Sequence, residues 1–249
     1  MININWQPLH NEFQLWRGVD MILPIWWRDD DAIAPTPALN MLDNIANDTN
    51  IPVHLAVIPK LATPALSDHI LAMPNVIPVV HGWAHQNHEP QGIKKAEFGA
   101  TRPVETCVED AKAGLDMLKN MFGIRLKPMF VPPWNRINPD INPHLAMIGY
   151  TSLSTYSPRK SSQAAFGLTQ TNTHLDPIAW HDGRGLVAPD ILISETVRQM
   201  QDRRMGRADN NEPFGLLTHH LVHDQDIWSF VRQFLTAMQK GPTRIFTLP

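Results

Sequence analysis

Residues 21–37, MILPIWWRDDDAIAPTP, contain one complete transition from strand to helix. The apolar run at residues 21–27 predicts a buried strand. The Thr-Pro pair at residues 36–37 is typical of a helix start, because threonine caps the helix and proline fits its first turn. The same signal recurs at residues 63–64 and 138–139. Repeated strand-then-helix units predict a parallel sheet with helices outside it, either open or closed into a barrel.

Further apolar runs and helical patterns alternate along the rest of the chain. Strands are predicted at residues 52–59, 75–80, 127–136, 151–157, 173–180, 213–220 and 244–248. Helices are predicted at about residues 36–47, from 63, 103–122, from 138, 191–205 and 227–238. The chain has no internal repeat and no linker-like stretch. The pattern therefore predicts one domain over residues 1–249, with residues 1–20 as an N-terminal extension.

Composition and charge narrow the class of protein. The 249 residues are 43% hydrophobic, which is enough for a sizeable core. A net charge of -3 gives no electrostatic reason to expect a nucleic-acid partner. The single cysteine allows no intrachain disulfide, and the sequence has neither a signal-peptide pattern nor an apolar run long enough for a membrane span. These features predict a soluble, cytoplasmic protein with no membrane partner, and they leave its oligomeric state open.

Polar clusters follow the predicted strands at the points where those strands end. They read RDDD at residues 28–31, HGWAH at 81–85, VPPWNR at 131–136, LDPIAW at 175–180 and LLTHH at 216–220. In α/β barrels the active site lies at the carboxyl ends of the strands. We therefore expect these five clusters to meet in one active site.

His81 and His85 are candidate metal ligands. Their i, i+4 spacing places both imidazoles on one face if the chain turns helical after Gly82. The adjacent carboxylates of Asp29 and Asp30 would repel each other unless a cation or a proton lay near them. One aspartate and two histidines leave coordination positions open for water and substrate, as in catalytic metal sites. The alternative is a pair of unrelated polar histidines.

His219 and His220 end an apolar strand. Because side chains alternate along a strand, we expect one imidazole to face the pocket and the other to be structural. An imidazole beside a metal can act as a general acid or base near neutral pH. Trp134 and Trp180 lie on two of the same loops, where their flat aromatic faces would suit sugar rings. His88 is expected to be exposed or to lie behind the metal ligands.

The order of these motifs resembles that of the polysaccharide deacetylase family, carbohydrate esterase family 4. The resemblance runs from Asp29 to His219 and so covers most of the chain. It implies an α/β fold, a distorted (β/α) barrel of about seven parallel strands with outer helices. It also implies one divalent metal ion, usually zinc, and a hydrolase that removes acetyl groups from N-acetylated sugars.

By position, the resemblance assigns a role to each motif. The assignments are Asp29 as catalytic base, Asp30, His81 and His85 as metal ligands, His219 as general acid, and Trp134, Pro133 and Trp180 as walls of the substrate pocket. Asp31 takes the place of a glycine in the first motif. The implied mechanism has a metal-activated water giving its proton to Asp29, and His219 protonating the departing amine.

One position departs from the family pattern. The family's third motif carries an arginine that steadies the catalytic aspartate, and Val131 stands there in this chain. Strand alternation sends Arg28 to the opposite side from Asp29. We therefore hypothesise that Arg136, on the loop after the same strand as Val131, supplies the guanidinium to Asp29. The alternative is that Arg136 is a solvated loop residue or caps a nearby carbonyl.

Three other functions are compatible with parts of the pattern. The substrate could be a small N-acyl compound that is not a sugar, which the missing signal peptide favours. A non-catalytic carbohydrate-binding barrel would explain the missing arginine, although the other motif residues are retained. A non-haem iron oxygenase also uses two histidines and one carboxylate, but nothing beyond those three residues supports it.

Overall fold

The computed structural model describes residues 2–248, which form seven α-helices and nine strands. The strands are β1 (Leu23–Ala32), β2 (Val53–Val57), β3 (Val76–His81), β4 (Met129–Val131), β5 (Ser152–Leu153), β6 (Gln163–Ala165), β7 (Leu168–Gln170), β8 (Phe214–Thr218) and β9 (Thr243–Ile245). The helices are α1 (Gln7–Arg17), α2 (Pro37–Thr49), α3 (Pro64–Leu71), α4 (Val104–Phe122), α5 (Asn142–Met147), α6 (Pro189–Arg204) and α7 (Gln225–Gln239).

The strands form one sheet that closes on itself. Its order is β6-β7-β5-β4-β3-β2-β1-β8, with β9 beside β1, and only the β6–β7 pair is antiparallel among the described strands. Residues 171–175 continue beyond β7 and bridge the two ends of the sheet. The Thr173 N–H donates to the Thr155 carbonyl at 3.0 Å, and the Leu217 N–H donates to the Leu175 carbonyl at 2.8 Å. The expected distorted barrel of parallel strands is thus confirmed.

Two separate cores lie on the two sides of this sheet. The larger core fills the space between the strands and the outer helices. The smaller one fills the interior of the barrel and consists of Trp26, Ala56, Val79, Met129, Val131 and Leu248. The Trp26 indole N–H donates to the Asn172 carbonyl at 3.0 Å, and a Cβ on Gly215 would lie only 2.4 Å from the same nitrogen. Because β1 is buried on both faces, its apolar run is continuous rather than alternating.

Some elements differ from the sequence prediction. Only residues 152–153 of the predicted strand at 151–157 are a strand, and residues 173–180 make isolated bridges instead of a continuous strand. The β6–β7 hairpin carried no sequence signal, because its strands are short and mostly exposed. Helix α1 lies inside the predicted N-terminal extension and packs against α6, where Arg204 Nε donates to the buried Glu12 carboxylate at 2.8 Å.

No helix in residues 2–248 has both the length and the apolar character needed to cross a membrane.

Candidate active site

Three side chains of metal-ligand type converge at the carboxyl ends of β1 and β3. Asp31 Oδ1 lies 3.1 Å from His81 Nε2 and 3.3 Å from His85 Nε2. The ligand atoms of the three residues all lie within 4.8 Å of one another. The His81 Nδ1–H donates to the Val131 carbonyl at 3.0 Å, which leaves Nε2 free to bind a metal ion. A carboxylate oxygen and two imidazole nitrogens that face one point fit a divalent metal.

The aspartate in this group is Asp31, whereas the sequence predicted Asp30. A break in the regularity of β1 explains the difference. The pairing of β1 with β2 shifts register between Asp29 and Ala32, and Asp31 has a φ of 76°, in the left-handed region. The strand therefore turns at Asp31, so regular side-chain alternation does not extend to this residue and its carboxylate meets the two histidines. The structure thus groups Asp31, and not Asp30, with the two histidines.

Burial and mutual charges shift the pKa values of all three side chains in this group. Burial opposes ionisation of Asp31, yet hydrogen bonding to His81 and the charges of nearby histidines lower the pKa of this carboxyl well below its usual range. Burial and the charge of His81 lower the pKa of His85. Burial also opposes the charged form of His81, but the hydrogen bond to Asp31 and the charge of Asp30 raise its pKa overall. Asp31 is thus ionised and His85 neutral near pH 7.

Asp30 is held by an arginine inside the barrel. Arg28 Nε donates to Asp30 Oδ1 at 2.9 Å, and Arg28 Nη2 donates to Oδ2 at 3.0 Å. The guanidinium also donates to Ser154 Oγ at 2.7 Å and to Asn135 Oδ1 at 2.6 Å. Both side chains of the pair are almost completely buried. The charge of Asp30 acts on the metal-ligand candidate His81, so this carboxylate belongs to the same site.

Asp29, the predicted catalytic base, has different partners. Its carboxylate accepts from Thr218 Oγ1 at 2.6 Å, from the His220 N–H at 3.0 Å and from His220 Nδ1 at 2.5 Å. Burial raises the pKa of Asp29, but the charge and hydrogen bond of His220 lower it overall. Burial lowers the pKa of His220, and the Asp29 charge raises it overall. Asp29 thus forms a buried ion pair that fixes the chain at the end of β8.

The predicted contact between Arg136 and Asp29 is absent from the described part of the chain. Arg136 is exposed and donates to the Lys95 carbonyl at 2.8 Å. Arg136 therefore caps a nearby carbonyl, which is the alternative considered above. The guanidinium near the site belongs instead to Arg28. It contacts Asp30, which faces the barrel interior, and not Asp29, which contacts Thr218 and His220.

His219 lies directly after the strand that Asp29 fixes. Its ring is half-buried and meets the Trp180 ring edge-on, with centroids 4.7 Å apart. Its Nδ1 atom is buried and has no hydrogen-bond partner within residues 2–248. The charge of His219 lowers the pKa values of Asp31 and Asp176, which places the imidazole near both carboxylates. His219 therefore faces the site, while His220 faces away from it toward Asp29.

Asp176 is a site residue that the sequence argument did not select. Its Oδ2 accepts from the Trp180 indole N–H at 2.8 Å, and its Oδ1 accepts from the Ile178 N–H at 3.0 Å. Burial raises the pKa of Asp176, although the charge of His219 opposes this effect. The sequence could have indicated Asp176, because this carboxylate lies near the start of the LDPIAW cluster, four residues before Trp180.

Two tryptophans flank the group. The Trp134 ring lies against the His85 ring, with centroids 4.3 Å apart, and Trp134 has a left-handed φ of 55°. Trp180 lies against His219 and is 38% exposed. Pro133 is buried close to Gly82, where a Cβ on the glycine would lie 2.5 Å from the proline ring. His88 is exposed.

Solved structures share this arrangement of strands and helices over nearly the whole chain. A family 4 carbohydrate esterase from Streptomyces lividans, in complex with acetate, superposes with a TM-score of 0.58 at 12% sequence identity, over 91% of this chain and 93% of that one. The chain has the fold of the family 4 carbohydrate esterases.

Two further structures with the esterase fold match at a similar level. The Bc1960 peptidoglycan N-acetylglucosamine deacetylase gives a TM-score of 0.56 at 14% identity, over 91% of this chain and 86% of that one. A family 4 acetyl xylan esterase from Clostridium thermocellum, in complex with a cobalt ion, gives 0.50 at 11% identity, over 90% and 87%. The sequence itself matches no family model and no curated protein.

Proposed function

We propose that the protein is a metal-dependent hydrolase that removes an acetyl group from an N-acetylated sugar or polysaccharide. One observation carries the proposal. The metal-ligand group of Asp31, His81 and His85 shares a site with an arginine-held carboxylate, Asp30, and with the imidazole of His219. A cation site with a candidate base and a candidate acid is what hydrolysis of an amide requires. The esterase fold supports the same conclusion.

Zinc is the metal that we propose for Asp31, His81 and His85. Two imidazoles and one carboxylate are ligands that zinc accepts, and a three-residue set leaves positions open for substrate. When bound, the ion would polarise the acyl carbonyl and make water acidic enough to react at neutral pH. The acetyl xylan esterase of similar fold was solved with a cobalt ion, so this fold holds a metal ion in at least one solved structure.

The proposed roles of Asp30 and Arg28 follow from their contact. Asp30 accepts the proton of the attacking water as the water oxygen bonds to the acyl carbon. Arg28 donates to both oxygens of that carboxylate, which fixes its rotamer. Arg28 thereby steadies the catalytic carboxylate, which is the role of the family's arginine at the position of Val131.

His219 is the proposed general acid. As the bond between the acyl carbon and the nitrogen breaks, the imidazole gives its proton to the nitrogen, so that acetate and a free amine leave. Asp176, which accepts from the Trp180 indole N–H at 2.8 Å, lies near this imidazole. The edge-on contact with Trp180 restricts the orientation of the His219 ring.

Trp134, Pro133 and Trp180 are the proposed walls for the sugar. Trp134 stands next to His85 and Trp180 next to His219, so a sugar ring between them would present its acetamido group to the metal ligands. Flat aromatic faces contribute apolar contact area while polar groups around them orient a ligand.

A substrate panel tests the proposal. Protein loaded with zinc is assayed for released acetate with N-acetylglucosamine oligomers, acetylated xylan and small non-sugar N-acetyl amides, before and after treatment with a chelator. We expect acetate release from an N-acetylated sugar that stops on chelation and returns with zinc. Acetate release from the small amides alone would show that the substrate is a small N-acyl compound and not a sugar. Zinc-bound, folded protein that releases acetate from none of them would contradict the proposal.

A further inference from the structure

Glu97 lies outside every motif that the sequence analysis selected, yet its carboxylate is buried beside the metal-ligand loop. The side chain is 1% exposed. Glu97 Oε2 accepts from the Trp83 N–H at 3.1 Å, and Oε1 accepts from the N–H groups of Ala84 at 2.7 Å and Gln86 at 3.4 Å. One carboxylate thus binds three backbone N–H groups on the two sides of His85.

The loop that carries His85 needs such a partner. Gly82 and His85 both have a φ of 55°, in the left-handed region. For a residue with a side chain this conformation costs free energy, and it persists where surrounding contacts determine it. Backbone hydrogen bonds hold the start of this loop, where the Gly82 N–H donates to the Val131 carbonyl at 3.0 Å. The Glu97 carboxylate supplies a fixed acceptor for the N–H groups on the two sides of His85. Hydrogen bonds to a charged group are the stronger kind.

Glu97 itself is held rigidly. The next residue, Phe98, is completely buried and packs edge-on against Phe130, with ring centroids 4.9 Å apart. The Phe98 carbonyl accepts from the Asn138 N–H at 2.7 Å. The anchor of the loop is therefore tied to β4 and to the segment that follows Trp134.

We propose that Glu97 is a positioning residue for metal binding. It holds residues 83–86 so that the His85 imidazole meets Asp31 and His81 at one point. Both oxygens of Glu97 are occupied by backbone N–H groups, so the residue is not a fourth ligand. The inference rests on the proposed function only in taking Asp31, His81 and His85 as the metal ligands. Residues that orient metal ligands typically change metal affinity by roughly 10- to 100-fold when they are replaced.

The test measures zinc affinity in a matched pair of variants. Glu97→Gln keeps the shape of the side chain but turns one acceptor oxygen into a donor. Glu212→Gln is the control, because Glu212 is also 1% exposed and accepts from two backbone N–H groups, those of Arg159 and Asn172, before the amino end of β8. Zinc dissociation constants are measured by competition with a chromogenic chelator, and the fold is monitored by circular dichroism.

We expect Glu97→Gln to weaken zinc binding roughly 10- to 100-fold, while Glu212→Gln loses thermal stability but keeps the wild-type affinity. Glu97→Asp, which keeps the charge and shortens the reach, should fall between wild type and Glu97→Gln, and it serves if Glu97→Gln fails to fold. Wild-type zinc affinity in a folded Glu97 variant, or an equal loss of zinc affinity in Glu212→Gln, would overturn the role of Glu97 but not the proposed metal site. Wild-type protein that binds no zinc would overturn the proposed metal site together with it.

Discussion

Arg28 and Asp30 lie two residues apart on strand β1, and the arginine donates to both oxygens of the aspartate, at 2.9 and 3.0 Å. Alternate residues of a strand share a side, so both point into the barrel, while Asp29 between them points to Thr218 and His220. An arginine on the same strand thus holds this carboxylate, while Val131 stands at the position on β4 where the family pattern has an arginine.

The first prediction separates the two neighbouring aspartates. Asp31→Ala should lose most of the zinc, because it removes one of three protein ligands. Asp30→Asn should retain the zinc and lower kcat by roughly 100-fold or more, the scale of a lost general base. Elemental analysis and steady-state kinetics measure the two effects. If Asp30→Asn lost its zinc while Asp31→Ala kept it, the original assignment of Asp30 as the ligand would be restored.

The second prediction concerns the guanidinium of Arg28. Arg28→Lys keeps the positive charge but cannot form the double hydrogen bond to Asp30. We expect kcat to fall roughly 10- to 100-fold with little change in KM or zinc content. Arg136→Lys is the matched control and should behave like wild type, since Arg136 bonds only to the Lys95 carbonyl in the described structure. Equal losses in the two variants would argue against a specific role for Arg28.

The third prediction distinguishes His219 from His220. His219→Gln should lower kcat by roughly 100-fold, as expected for a general acid, with little change in the free energy of unfolding. His220→Gln should leave Asp29 buried without its ionic partner and lower the free energy of unfolding by about 3 kcal/mol. Urea unfolding and kinetics on the same preparations measure both quantities. A stable His220→Gln protein would show that the buried pair contributes little to the fold.

The fourth prediction concerns His54, which faces the Trp26 ring and whose Nδ1–H donates to the Trp27 carbonyl at 3.1 Å. Burial lowers the pKa of His54 to about 4 from 6.5. Between those two values the unfolded chain binds a proton that the folded protein does not, so stability falls as the pH falls. From pH 7 to pH 5 this group should cost about 2 kcal/mol of the free energy of unfolding.

The measurement compares urea unfolding of wild type and His54→Gln at several pH values between about 4 and 7. The variant lacks the titrating group, so its free energy of unfolding should fall less steeply with decreasing pH than that of wild type. Parallel curves for the two proteins would show that His54 does not titrate differently in the folded and unfolded states.

The general architecture, and the placement of polar clusters after the strands, could be predicted from the sequence. Apolar runs predicted β1 to β4, and helix-start signals follow β1, β2 and β4. The polar clusters at the strand ends meet in the structure because carboxyl ends of parallel strands share one edge of a barrel. The β6–β7 hairpin could not be read, since three-residue strands with exposed side chains carry no hydrophobic period.

The sequence by itself determined which kinds of side chain reach the site: acidic residues from β1, two histidines after β3, tryptophans from two loops and a histidine after β8. Only the tertiary structure decided which of these side chains lie together. The register shift and the left-handed φ of Asp31 turn this carboxylate, and not Asp30, toward the histidines. Glu97 meets the His85 loop through contacts between distant segments, and a local sequence pattern carries no information about such contacts. A strand pattern specifies which residues are neighbours along the chain, whereas a site depends on where backbone distortions and long-range packing point each side chain.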